Sequence, residues 1–263
     1  MQNPPNRLKA RLQARQPSLG LWLQAASPAL AELAGFAGLD FVIIDQEHGP
    51  GDLQTTIDMM RAVAASGTTA MVRVPGADPL YLKRILDAGA QALLVPMVDT
   101  AEEARMLVEA CLYPPRGRRG NASLSVRGSR YGLVDNYVGT AHETLLLVPQ
   151  VESATAVANA AGIAAVDGID AVFIGPNDLA GSIGLPGQTG AAEVERLIDQ
   201  AVSAIRGQGK PVGSVPRVGK SWQALFDAGY DFIAANGDIT WVRAAALAQA
   251  EAWSAYQQEA ASR

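Results

Sequence analysis

Phe41-Val-Ile-Ile-Asp-Gln-Glu-His48-Gly-Pro50 opens with four apolar residues and then stops in an acid, an amide, a second acid and one of the chain's two histidines. A short apolar run bounded by polar and turn residues has the form of a buried strand. The polar cluster then lies where that strand reaches the surface. Three ionisable groups packed together are costly to desolvate, so the cluster is either a chemical site or a solvated strand-to-helix loop.

The same unit repeats on both sides of this stretch. Apolar residues 19–23 precede Ser27-Pro28, a helix cap with proline in the first turn. Residues 41–44 lead to a helix over 52–64, and residues 70–74 to Asp78-Pro79 and a helix ending at Asp87. Residues 92–95 precede a helix over 100–111, whose Thr100-Ala-Glu-Glu103 has the form of a capping box. Residues 145–149 precede a helix over 153–161, and residues 171–174 precede Pro176-Asn-Asp-Leu179 and a long helix over 191–206. Residues 211–215 lead to 220–227, and 231–235 to an Ala-rich helix over about 239–259. Strands alternating with helices imply parallel strands and crossover connections, and eight such units in 263 residues point to a (β/α)8 TIM barrel. A doubly wound open sheet is the alternative.

Residues 1–263 are expected to form one barrel domain, a length that a closed α/β barrel routinely fills. A net charge of −5 argues against a nucleic-acid-binding surface. Cys111 is alone, so an intrachain disulfide is impossible, which suits a reducing cytosol; its place late in a helical pattern makes it a core residue. The basic opening, with no acid before Glu32, has the look of a transit peptide, but a strand follows almost at once. It is read as a short amphipathic helix at about 6–16. No apolar run is long enough to span a bilayer, and the expectation is a cytoplasmic protein without a membrane partner.

In such a barrel the active site lies at the C-terminal ends of the strands. The assignments above place there Asp45 to His48, Arg73, Pro96, Gln150 with Glu152, Asn177 with Asp178, and Ser214. Gln150 and Glu152 are two apart and point the same way from a strand. Glu152 and Asp178, at the ends of successive strands, suit a hard divalent ion such as Mg²⁺, Mn²⁺ or Co²⁺; either could equally be an acid favoured at a helix start. Arg73 can hold a developing oxyanion or form a structural ion pair with a neighbouring strand-end acid. His48 suits base work near neutral pH, while His142 is read as surface. Gly175-Pro-Asn-Asp178 offers free backbone N–H groups to an anion. A 2-oxo acid chelated through carboxylate and keto oxygens fits this set, with an enolate stabilised by the metal and Arg73. The excursion over 113–136 carries five arginines; it either binds an anion such as a substrate carboxylate or presents surface charge.

These residues resemble the metal-dependent (class II) pyruvate aldolases of the HpcH/HpaI family, which include 4-hydroxy-2-oxoheptanedioate and 2-dehydro-3-deoxyglucarate aldolases. The resemblance runs from Gly20-Leu-Trp-Leu23 to the C-terminal helix. Its motifs are Ile44-Asp-Gln-Glu-His48, Val72-Arg73 with Asp78-Pro79, Leu94-Val-Pro-Met97, Tyr113-Pro-Pro-Arg-Gly-Arg-Arg-Gly120, Gln150-Val-Glu152 and Phe173-Ile-Gly-Pro-Asn-Asp-Leu179. The resemblance implies a phosphoenolpyruvate/pyruvate-type barrel whose last helix packs on a neighbouring subunit, in a homohexamer built as a trimer of dimers. It implies that Glu152 and Asp178 hold the metal, that His48 is the base with Asp87 raising its basicity, and that Arg73 stabilises the enolate. Gln150 and the backbone at Asn177 and Asp178 would bind the oxo acid, and Asp45 would help to position an aldehyde.

The activity implied is reversible cleavage of a 4-hydroxy-2-oxo acid to pyruvate, or hydroxypyruvate, and an aldehyde. A CoA-thioester lyase of the citrate lyase or malyl-CoA lyase type and a non-catalytic oxo-acid-binding barrel are the alternatives. Gln46, Asn121-Ala-Ser123 and Gly128 depart from the family pattern on what is expected to be the aldehyde side. The donor is therefore better defined than the acceptor.

Overall fold

Capped helices and buried strands alternate along the whole chain in a computed structural model that describes residues 1–262. In order they are α1 (Arg7–Gln13), β1 (Ser18–Leu23), α2 (Pro28–Phe36), β2 (Phe41–Asp45), α3 (Leu53–Ala64), β3 (Thr69–Arg73), α4 (Pro79–Asp87) and β4 (Ala92–Val95). There follow α5 (Ala101–Cys111), α6 (Tyr137–Thr144), β5 (Leu146–Val151), α7 (Ala154–Ala164), β6 (Val172–Ile174), α8 (Pro176–Ser182), α9 (Ala192–Gly207), β7 (Val212–Ser214), α10 (Trp222–Asp227), β8 (Phe232–Gly237) and α11 (Asp238–Ala261). All strand pairs are parallel, and β8 pairs back onto β1. The closure makes a (β/α)8 barrel and excludes the open doubly wound sheet.

β2 is buried along its whole length, which is why it reads as a continuous apolar run. Phe41 and Ile43 point into the barrel with Met71, Leu94, Val148, Phe173 and Phe232. Val42 and Ile44 point outward under the helices. Two glycines make room for the large rings, since a Cβ on Gly20 would collide with the Phe41 ring and one on Gly213 with Phe232. Leu8 and Leu12 of α1 join the same interior cluster, so this helix closes the N-terminal end of the barrel. Its cap Asn6 accepts from Lys9 N and donates to Gln91 O and Thr144 O. The capping box expected at Thr100 is present, with Glu103 reaching back to the Thr100 N–H.

The excursion departs from expectation. It leaves the C-terminal end of α5 and therefore lies at the N-terminal end of the barrel, away from the mouth. Arg119 donates to Asp87 at the end of α4 at 2.7 Å, and its guanidinium stacks over Tyr113. Arg127 donates to Ala88 O. Binding of a substrate carboxylate by these arginines at the mouth of their own barrel is thus ruled out by the chain path. After the excursion comes α6, an extra helix before β5 in the polar stretch around His142, whose side chain is partly exposed.

α11 leaves the barrel. Of its 24 residues only Asp238 is buried. Trp241, Val242, Leu247, Trp253 and Tyr256 are each half-exposed or more. Among the described residues, no helix is long and apolar enough to cross a membrane.

Candidate active site

The register of β2 on β3 sets Asp45 opposite Arg73. Arg73 donates from Nε to Asp45 Oδ1 at 2.9 Å and from Nη2 to Oδ2 at 2.6 Å, and its Nη1 lies 3.0 Å from Glu47 Oε2. Its guanidinium also rests 4.4 Å over the Trp22 ring. Three of the five guanidinium N–H groups are engaged in this way, leaving two. The structural ion pair is thus present, and the side chain still lines the cleft with N–H groups to spare.

Asp45 is 2% exposed. Burial pushes its carboxyl up, but the hydrogen bonds and charge of Arg73, with Gln24 and the His48 N–H, outweigh burial and hold it below the ordinary carboxylate value. The same carboxylate accepts from Glu47 N and His48 N, which folds the residues after β2 around it. His48 projects from this turn with its side chain 61% exposed and Nε2 3.8 Å from Glu47 Oε2.

Across the mouth, β5 delivers Gln150 and Glu152 on one side, as their spacing predicts. Gln150 Nε2 donates to Glu152 Oε2 at 2.8 Å, and Met97 N donates to Oε1 at 2.7 Å. Met97 adopts a left-handed backbone (φ +54°) to present that N–H, a conformation that strains a residue with a Cβ. Gly175 packs so tightly that a Cβ there would meet Glu152 Oε2. Burial pushes the Glu152 carboxyl up to about 7, with the like charges of Asp178 and Glu47 adding to it and the Met97 N–H and Arg73 opposing it. Glu47 is also raised, by burial first, against the pull of Arg73 and His48.

The donor set fits a divalent cation. The charge of Asp178 adds to the raised proton affinity of Glu152, which a cation would relieve, and Gln150 Oε1 is buried without a partner beside Glu152. Among the described residues, no three His, Cys, Asp or Glu side chains enclose a metal position. A cation here would hold Glu152 and Asp178 and keep further positions for oxygen donors of a substrate, which excludes an all-protein zinc cage.

His48, Arg73, Gln150, Glu152, Asn177 and Asp178 line one open cleft of about 440 Å³ at the mouth. Asp45 stands behind Arg73. Ser214 turns away and donates to Ile174 O. Asp87 is elsewhere: it ends α4 at the opposite end of the barrel, held by Arg119. Trp22, Gln24, Asn236 and Thr240 also line the cleft and were not singled out from the sequence. The strand-end rule could have found Gln24 and Asn236, which sit at the ends of β1 and β8. The Met97 N–H carries no side-chain signal at all.

A closed parallel barrel whose C-terminal mouth gathers a buried guanidinium and two carboxylates in one cleft has the layout of a (β/α)8 enzyme site. The chain belongs to the HpcH/HpaI aldolase/citrate lyase family, whose model matches residues 18–245. It is 42% identical to a hydroxypyruvate/pyruvate aldolase of Delftia acidovorans over 98% of this chain and 96% of that protein. It is 44% identical to a 4-hydroxy-2-oxovalerate aldolase of Novosphingobium aromaticivorans over 90% of each. A crystal structure of an HpcH/HpaI aldolase/citrate lyase family protein from Burkholderia cenocepacia superposes with a TM-score of 0.88 at 36% identity, covering 94% of this chain and 99% of that one.

Proposed function

We infer that the chain is a carbon–carbon lyase: an aldolase that reversibly cleaves a 4-hydroxy-2-oxo acid to pyruvate, or hydroxypyruvate, and an aldehyde. The observation that carries this reading is Arg73, clamped by Asp45 with two N–H groups left, in the same cleft as the Glu152–Asp178 carboxylate pair. When bound between those carboxylates, Mg²⁺, Mn²⁺ or Co²⁺ would polarise the carbonyl of the oxo acid. Gln150 and the backbone N–H groups at Asn177 and Asp178 receive the substrate carboxylate. In the cleavage direction His48 takes the proton of the C4 hydroxyl, the C3–C4 bond breaks and the aldehyde leaves. Arg73 holds the negative charge that develops on the C2 oxygen. Return of the proton from His48 to C3 gives pyruvate. Asp45 positions the acceptor side through Arg73 and the turn that bears His48.

Two roles require more than one chain. The apolar residues left bare along α11 suit packing on a second copy, in keeping with a hexamer built as a trimer of dimers. Asp87 lies at the end of the barrel away from His48, so it raises the basicity of a histidine only if that histidine belongs to a neighbouring subunit.

Proton NMR of pyruvate in D₂O, with and without each divalent ion, tests the reading without knowledge of the aldehyde. Metal-dependent loss of the methyl signal that disappears in Arg73→Ala is the expected result. Turnover of a malyl- or citramalyl-CoA ester with no exchange of free pyruvate or hydroxypyruvate would replace the aldolase by a thioester lyase. Binding without any exchange would leave an oxo-acid-binding barrel.

A further inference from the structure

Asp45 is the most connected carboxylate at the mouth, and one of its partners leads away from the reaction. Gln24, the first residue after β1, donates from Nε2 to Asp45 Oδ2 at 2.9 Å. The backbone of Gln24 is in turn held from the far end of the chain. Asp238, the first residue of α11 and 5% exposed, accepts from Gln24 N at 2.9 Å and Ala25 N at 3.0 Å. Its Oδ1 also accepts from Ile239 N at 2.8 Å, which ties the carboxylate to its own helix. Ala26 follows in the left-handed region at φ +50°, so the chain after β1 bends sharply where Asp238 grips it.

We infer that Gln24 and Asp238 are positioning residues for Arg73, acting in series: Asp238 fixes the backbone after β1, Gln24 fixes Asp45, and Asp45 fixes both Arg73 and the turn carrying His48. This rests on the aldolase reading for its chemistry, but the geometry stands without it. Asp45 Oδ2 has two side-chain donors, the Gln24 amide and Arg73 Nη2. With the amide gone, Oδ2 keeps Arg73 Nη2 as its one side-chain donor while Oδ1 stays held by Arg73 Nε and the Glu47 and His48 N–H groups, so the carboxylate plane is less tightly fixed and the two-pronged grip on the guanidinium loosens with it. The guanidinium then trades its fixed plane over Trp22 for a range of orientations. Small displacements of a charge-holding group are expensive in rate even when the fold is intact.

The chain of contacts also explains why α11 matters to the site although nearly all of it is outside the barrel. Its foot packs against β1 and β8, and Asp238 is the one buried residue of the helix. A tilt of α11 moves the Asp238 carboxylate, and that movement is read two side chains later at Asp45. Gln24 itself lines the cleft, so its amide has one face on the substrate side and one on the carboxylate it orients.

The test uses the full-length protein in three variants. Gln24→Leu removes the donor at similar size. Asp238→Asn keeps the shape and replaces one of the two carboxylate oxygens that accept from the backbone N–H groups of Gln24 and Ala25. Gln24→Glu replaces the donor with a group that donates only when protonated. For each, pyruvate methyl exchange is measured as maximal rate and half-saturating pyruvate, Mn²⁺ affinity is measured separately, and the Arg73 Nε–H resonance is followed in a ¹⁵N-arginine sample. Positioning predicts a maximal rate lowered about tenfold to a hundredfold in Gln24→Leu and Asp238→Asn. It also predicts a displaced Arg73 resonance and Mn²⁺ binding within about twofold of wild type, since Glu152 and Asp178 are outside the series. Measured as a ratio to wild type at the same pH, the Gln24→Glu rate is expected to recover as the pH is lowered and the introduced carboxyl gains its proton, a signature that a general loss of stability does not produce. Wild-type rate with an unmoved Arg73 resonance in Gln24→Leu and Asp238→Asn overturns the inference. If the wild-type protein exchanges no proton at all, the aldolase reading falls, and the Arg73 resonance alone decides whether the series holds.

Discussion

Arg73 and Glu152 show how a side chain's surroundings set its chemistry. Arg73 donates two hydrogen bonds to one carboxylate and makes a third contact to Glu47, a geometry that a lysine ammonium, a single point of charge, cannot reproduce. Arg73→Lys is therefore expected to lower the maximal rate of pyruvate exchange about a hundredfold or more while retaining Mn²⁺ binding; exchange at the wild-type rate would remove Arg73 from the reaction. Glu152 makes a pH prediction. Its carboxyl is raised from 4.5 to about 7 on folding, so between those values the native state binds more protons than the unfolded state. Stability of the metal-free protein then falls as the pH rises through this window and levels off above it. A divalent cation binds the ionised form and stabilises the fold more at pH 8 than at pH 5. Melting curves across this range, with and without Mn²⁺, check both signs.

At the scale of elements, the floor of the barrel and its mouth are separable. α1 fills the N-terminal end with Leu8, which is fully buried among Phe41, Met71 and their neighbours. Leu8→Ala leaves a cavity that the closed barrel cannot collapse around, and a loss of about 3 kcal/mol is expected in urea unfolding. Exchange activity per folded molecule should not change, because α1 lies at the end of the barrel opposite the mouth. The cap at Thr100 is a second local device. Thr100→Ala removes the hydroxyl that accepts from the Glu103 N–H, while the Thr100 N–H still donates to Glu103, and is expected to lower stability by about 1 kcal/mol.

At the scale of the whole molecule, α11 is left bare by its own chain and Asp87 sits at the end of the barrel away from His48, held by Arg119. Trp241→Lys together with Trp253→Lys places charge along the bare helix, and sedimentation velocity is expected to show a smaller species than wild type. Unchanged sedimentation would take α11 out of the assembly. Asp87→Asn and His48→Gln subunits, each inactive alone, are expected to regain part of the exchange activity when unfolded and refolded as a mixture, because an intact His48 can then meet an intact Asp87 across a subunit boundary. Failure to complement, with assembly intact, would end the role of Asp87 as a partner of His48.

The local rules were enough for the barrel. Period, caps and prolines mark the strands and helices before any contact is known, and eight alternating units leave few topologies open. Strand-end placement then brought His48, Arg73, Gln150, Glu152, Asn177 and Asp178 to one mouth, because in a closed parallel barrel position along the strand determines position in space. What the sequence could not carry were properties that depend on distance through space. The excursion after α5 was read by its arginines, yet where it sits depends on which end of the barrel its helix reaches. The Glu152 pKa depends on burial beside two other carboxylates, and its Met97 partner is a backbone N–H that no side chain advertises. Gln24 and Asp238 are 214 positions apart, and only closure of β8 on β1 brings them into contact. The sequence by itself determined the elements and the residues that meet at the mouth, because hydrogen-bonding pattern and hydrophobic period are local. Only the tertiary structure decided which of those residues hold one another in place, because desolvation and hydrogen-bond geometry exist only once the barrel has closed.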